Sequence, residues 1–453
     1  MKSTTGELGV EKPGKLLLQY SIPAIIATVA TSLYNIIGRI FIGHGVGALA
    51  ISGLALTFPL MNITAAFGSM VGIGASAMVS IRLGQHNRQE ATKVLGNAFM
   101  LNIILAIIVS SLTFIFLEPI LYSLGASKDT LPFAKKYMQV ILIGNVFGHL
   151  YLGLNNIIRA SGYPQKAMII TLYTVGVNLL LAPLFIFVFH WGIRGAALAT
   201  VCAQITGTVL TIIHFSKSES FVHFLPGYFK LKISIIKDIV SIGMSNFLVL
   251  ICSSVVVSIV NISLKKYGGD YAIGAFGIIN SIANLVVMIV VGLNQGMQPI
   301  VGYNYGAHHI QRVLKTFKLT VKTATYVTCI GFLLIHLFPR IIVSAFTTNK
   351  ELIALSITGI KLNLAALPIV GFQIVTSSFF QSIGKAKISI FLSLSRQILF
   401  LIPALLILPN FWGLKGVWLG TPAADISSTI LTSLVLIFQL KYLKNESVIS
   451  ENS

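Results

Sequence analysis

The chain has 453 residues, 55% hydrophobic and only 10% charged, with 32 basic against 12 acidic side chains. Soluble domains carry roughly 25% charged residues, so composition excludes a water-soluble globular fold. The net charge of +20 would suit a nucleic-acid partner, but the basic residues lie in short loops between apolar runs, in no motif, and no nucleic-acid role is expected.

In chain order, a polar start (MKSTTGELGVEKPGK) is followed by apolar runs at 15–42, 48–80, 95–118, 133–157, 165–189, 193–215, 234–264, 271–300, 318–340, 354–380, 387–408 and 414–440. Each reaches the roughly 20 residues that a helix needs to cross a bilayer. The first follows the polar start and is too long for the apolar core of a signal peptide, so no cleaved leader is expected. Backbone groups in lipid must satisfy one another within helices. The expected fold class is therefore an all-α integral membrane protein of twelve transmembrane helices. A Ser-, Lys- and Pro-Gly-bearing stretch at 216–233 reads as the linker between a lobe at 1–215 and a lobe at 234–440, with a tail at 441–453.

With the N-terminus taken as cytoplasmic, 20 basic residues fall on the inner side, 11 on the outer, and Arg396 remains inside a span. Basic residues favour the cytoplasmic side, so both termini are expected there, in a multi-pass protein of the cell membrane with the lipid bilayer as its partner. Cys202, Cys252 and Cys329 lie far apart in separate expected spans, a pattern that calls for no disulfide framework or metal cluster.

The two halves repeat each other at an offset of about 221 residues. RLGQH (82–86) aligns with NYGAH (304–308), and Gly162 of RASGYPQK with Gly384 of QSIGKAK. Clearest is HWGIRGAALATVCAQITGTVLT (190–211) against FWGLKGVWLGTPAADISSTILT (411–432), which pairs Trp191 with Trp412, Gly195 with Gly416 and Thr200 with Thr421. Six spans per half give both halves the same orientation, a parallel repeat related by an axis along the membrane normal. Such an architecture suits alternating access.

SLYNIIGRIFIGHGVGALAISGLALTFPL in the first two spans, the RLGQHNRQEA loop, and the paired WGIRGAALAT and WGLKGVWLGTPAAD elements resemble the multidrug and toxic compound extrusion (MATE) family over nearly the whole chain. They are most similar to its MepA-like bacterial branch. The resemblance implies a monomeric exporter of drugs and organic cations, two six-helix lobes, and H+ or Na+ exchange without a bound cofactor. Two positions depart from the family. Gly38 stands where members often carry a first-helix aspartate, and SNFLVLICSS and GFQIVTSSFF lack the acidic residues with which some relatives bind sodium.

Ionisable side chains inside spans cost about 2.5–3.5 kcal/mol or more to insert and are functional candidates by default. Asp425 in TPAADISS is the expected proton or cation site; Glu118, before Pro119, is expected at the interface end of the third span. Arg396 in the eleventh span has two readings, a partner for Asp425 that opposes its protonation or a side chain that snorkels to an interface. Asn35 and Asn178 are the further ion-coupling candidates, since the resemblance places the family's N-lobe site in their helices. Gln204, Asn246, Asn280, Asn284, Gln298, Asn363, Gln373 and Arg396 are the substrate-cavity candidates, although a single polar residue in a span is more often interhelical glue.

No enzyme motif accompanies these residues: the near-match to a phosphate loop, GVEKPGKL (9–16), lacks the final Ser/Thr and the strand–loop–helix setting. The alternatives in other classes are a channel and a flippase for lipid-linked precursors. A channel filter would repeat in both halves, whereas Gln204 stands opposite Asp425. A flippase would need a strongly basic cavity for pyrophosphate, and the spans offer one arginine.

Overall fold

The computed structural model describes residues 5–218 and 220–451; residues 1–4 of the expected first lobe, residue 219 of the expected linker and 452–453 of the expected tail lie outside them. Ten helices are long and apolar enough to cross a bilayer, and the pair Lys350–Asn363 and Leu367–Ser382, bent by 54°, makes an eleventh span. The stretch Ala386–Lys441 holds a break at Gly413 (φ 53°) and is two spans, so the described residues contain twelve. The spans are Pro13–Gly45, Ala48–Gly84, Arg88–Ile115, Leu131–Ala160, Pro164–Val188, Gly192–Ser216, Ile233–Gly269, Tyr271–Gly306, Ile310–Leu337, the bent pair, 386–412 and 414–441. Large apolar side chains such as Leu180, Ile143 and Phe438 remain exposed on the helices, as lipid-facing residues must.

Helix ends run past the apolar runs because capping and turn chemistry, not hydropathy, set them. The Asn87 side chain accepts from the Glu90 backbone N–H at 3.0 Å and starts the third span at Arg88, seven residues before the expected 95. That span ends at Ile115, so Glu118 is not at its end: it lies on a separate short helix, Leu117–Ser123, exposed and ion-paired with Lys135. The tenth span bends ahead of Pro368, whose ring disfavours helix in the residue before it. The twelfth continues as helix to Glu451, through most of the expected tail.

The repeat recurs in the backbone. Positive φ values pair up as His86 (57°) with His308 (59°), Gly162 (94°) with Gly384 (76°), and Gly192 (55°) with Gly413 (53°). Gly195 and Gly416, aligned by sequence, both start a span tight against the end of the one before: a Cβ would lie 2.9 Å from the Phe185 carbonyl oxygen and 2.3 Å from that of Leu408, respectively.

Two compact units form. The first comprises 26–247 with the N-terminal stretch up to Glu11, and the second 12–25 with 248–453. The first and seventh spans are thus each divided between units. In the first unit, a Cβ on Gly72 would lie 2.9 Å from the Gly153 Cα and one on Gly74 2.0 Å from the Ile239 carbonyl oxygen, the close helix approach that small residues permit. The linker is tied to the third span: Asn97, buried, donates to the Lys230 carbonyl (3.3 Å) and accepts from the Lys232 N–H (2.7 Å), while Arg88 donates to the Ser220 carbonyl (3.1 Å). In the second unit the core gathers around Trp418, Ile279, Ile360 and Leu405.

Candidate functional site

The eleventh span is not a uniform α-helix. Residues Ser395–Leu401 form a π-helical turn, just ahead of Pro403. A proline has no N–H to donate and its ring crowds the carbonyl four residues back, here Leu399; widening the preceding turn relieves that crowding. π-turns add one residue to a helix and recur at functional sites. This one carries Arg396, whose Nε donates to Asp425 Oδ1 of the twelfth span at 2.6 Å. The Asp425 side chain is 5% exposed and that of Arg396 25%, so the carboxylate is enclosed and the arginine partly exposed. Among the described residues Asp425 is the buried carboxylate.

Of the two readings of Arg396, the geometry realises the ion pair. Polar groups continue from it along the twelfth span. Asn363 of the tenth span donates to Thr421 Oγ1 (3.0 Å) and to the Trp418 carbonyl (3.3 Å). Ser428 donates to the Asp425 carbonyl at 3.1 Å. Gln373 Oε1, Gln397 Oε1, Thr429 Oγ1 and Thr432 Oγ1 are buried without a hydrogen-bond partner among the described residues.

The corresponding place in the first unit is different. By the repeat, Gln204 stands for Asp425 and Val175 for Arg396, so the charged pair has no counterpart there. Asn178, buried, donates to Thr200 Oγ1 at 3.2 Å, linking the fifth and sixth spans. Asn35 is exposed and its amide turns back to the Thr31 carbonyl of its own helix at 2.9 Å. Gly38 has open space around it, with no atom within 4 Å of a Cβ placed there.

The remaining cavity candidates are divided between the two units. Gln204 and Asn246 belong to the first unit, where Asn246 donates to Ser69 Oγ at 2.7 Å. Gln298, Asn280 and Asn284 belong to the second; the last two are exposed on the eighth span. Of the cavity candidates, Asn363 and Arg396 hydrogen-bond to the twelfth span, and Gln373 of the tenth span is buried. Sequence reasoning missed Gln397, Thr429 and Thr432, although the i, i+4 recurrence of Thr421, Asp425 and Thr429 in an apolar span was a visible signal. Arg159, one of the basic residues counted on the inner side, is buried in the last turn of the fourth span and donates to Asn156 Oδ1 at 3.2 Å. No group of His, Cys, Asp and Glu fit to hold a metal occurs among the described residues.

The model of the MatE family matches residues 23–184 and 242–406, one stretch in each half. The chain is 27% identical to the multidrug export protein MepA of Staphylococcus haemolyticus over 427 residues, 94% of each chain. It is also 27% identical to MepA of Staphylococcus aureus strain NCTC 8325 over 429 residues, again 94% of each. Among solved structures, the MATE multidrug transporter DinF-BH in complex with R6G superposes with a TM-score of 0.90 at 36% identity, covering 98% of this chain and 99% of that one. An outward-facing MATE family transporter of the MOP superfamily shares the fold, with a TM-score of 0.92 at 24% identity over 98% of this chain and 100% of that one.

Proposed function

The chain belongs to the MatE family, and we propose that it is a secondary-active multidrug exporter that exchanges organic cations and amphiphilic drugs for protons through Asp425. The single observation that carries the ion assignment is the enclosed Arg396–Asp425 pair. A sodium ion at Asp425 would lie against a guanidinium that repels it. The same guanidinium opposes protonation, so a proton adds to the carboxylate only as Arg396 gives it up; it then removes the charge there and leaves an arginine without its partner, which is costly in a span. One proton thus separates two states of the second unit, which is the differential interaction that coupling requires. A cationic drug that approaches Asp425 competes with Arg396 for the same carboxylate, so proton and drug exclude each other.

Relatives that carry the names multidrug export protein and multidrug transporter support the substrate class. The reading includes a monomer in the cell membrane with both termini cytoplasmic, no bound cofactor and no covalent chemistry. A flippase for lipid-linked pyrophosphates is disfavoured because Arg396 is already neutralised by Asp425, and Arg159, buried at the end of the fourth span, is engaged with Asn156. The test is ethidium efflux from cells that express the protein, with the proton and sodium gradients collapsed separately. Efflux should stop with the proton gradient and persist without the sodium gradient; the reverse dependence would refute the proton assignment, and no efflux from wild type would refute the drug-export reading.

A further inference from the structure

Helical threonines in this chain follow a habit. Thr171, Thr174, Thr200, Thr316, Thr320 and Thr376 all turn their hydroxyls back to the carbonyl four residues earlier, at 2.7–3.2 Å. This is the ordinary way for a hydroxyl in a span to satisfy itself. Thr429 and Thr432 break it. Both Oγ1 atoms are buried and without a partner among the described residues, and the Asp425 carbonyl that Thr429 would use receives Ser428 instead.

The two hydroxyls share a helix face with Asp425, four and seven residues along. At about 1.5 Å per residue, Thr432 stands roughly 10 Å from Asp425 toward the C-terminal end of the span. Gln397, next to Arg396 in the π-turn, and Gln373 of the tenth span each add a buried side-chain oxygen without a partner in the same unit. Buried polar groups that the protein leaves unsatisfied are held by internal water, each molecule making about three hydrogen bonds. Arg396 is the charged side chain that meets Asp425; the threonines extend away from the carboxylate along its own helix.

We infer that the second unit binds a short file of water molecules along Asp425, Thr429 and Thr432, and that this file carries protons between Asp425 and the C-terminal end of the twelfth span. The proton-carrying half rests on the coupling role proposed for Asp425; the water file does not. Threonine hydroxyls both donate and accept, so they can pass a hydrogen-bond chain onward. Valine in their place keeps the β-branched shape and removes that ability.

Two measurements on the full-length protein in lipid test the inference. Hydroxyl-radical footprinting marks side chains beside bound water. It should modify residues 425–433, corrected for intrinsic side-chain reactivity, several-fold faster than the equally enclosed stretch 320–328, whose buried Thr320 and Thr328 hydroxyls are satisfied by the helix, with the excess lost in T429V/T432V. Equal modification of the two stretches in wild type would overturn the file. In proteoliposomes driven by a proton gradient, T429V/T432V should bind drug within about twofold of wild type yet transport it at least tenfold more slowly, with T429S/T432S restoring the rate. Wild-type rates in the valine variant would overturn the proton path. Footprinting excess in a wild type that ignores the proton gradient would instead retain the water file and sink the coupling role of Asp425. If the double valine variant does not fold, the wild-type footprint still decides the water file and the single variants T429V and T432V decide the proton path by the same transport assay.

Discussion

A carboxylate and a guanidinium held 2.6 Å apart in the interior of a membrane protein matter more for what happens when they part than for what they add together. Removing one member of a fully buried pair costs about 3–5 kcal/mol, while replacing both is often neutral. With a quarter of Arg396 exposed, we expect D425N and R396Q each to destabilise by about 2 kcal/mol and the double variant to recover most of that loss. A double-mutant cycle of thermal midpoints in detergent checks this; additive losses would mean that the two residues act separately. Gly38, with open space around its Cα, makes a second prediction. G38D should fold at wild-type yield and supply the first unit with a carboxylate of its own, measured as a changed pH profile of efflux. Loss of folded protein would show that the space is not available. At this scale the charged residues were legible because charge inside a span is rare. The asparagines and glutamines were not, because their roles depend on the rotation of each helix about its axis. Asn35 uses its amide on its own backbone, while Asn363 spans two helices, and nothing in the residue type distinguishes them.

Helices in this protein owe their existence to hydropathy and their shapes to a few prolines and glycines. All twelve spans were readable from apolar runs, as was the repeat that now appears as matched positive-φ positions. The π-turn at Ser395–Leu401 was not, because a one-residue widening leaves the composition unchanged; Pro403 was its only trace in the sequence. The widening has a consequence that can be measured. Deleting the exposed Ile398 should return the turn to α geometry and swing Arg396 by about 100° relative to the span beyond it. That removes the contact with Asp425, and proton-driven transport should fall to the level of R396Q. Retained coupling would show that the π-turn does not position the pair. The glycine at each span start is likewise graded by its surroundings. G416A, whose Cβ would meet a carbonyl oxygen at 2.3 Å, should lower folded yield more than G195A, where the distance is 2.9 Å; a fluorescence size-exclusion assay ranks the two, and the opposite order would contradict the packing described.

At the level of the whole molecule, duplication made two similar bundles and divergence made their interiors unlike. The first unit links its fifth and sixth spans through Asn178 and Thr200, without charge, where the second has Arg396 and Asp425. We therefore assign proton exchange to the second unit. The most direct measurement is made on purified protein in sealed liposomes, where drug uptake and internal pH are recorded together under an imposed proton or sodium gradient. Wild type should move drug against a proton gradient with measurable proton counterflow and ignore sodium, while D425N, still folded, should move neither. Drug movement in D425N that remains coupled to protons, or wild-type transport that follows sodium alone, would contradict the account.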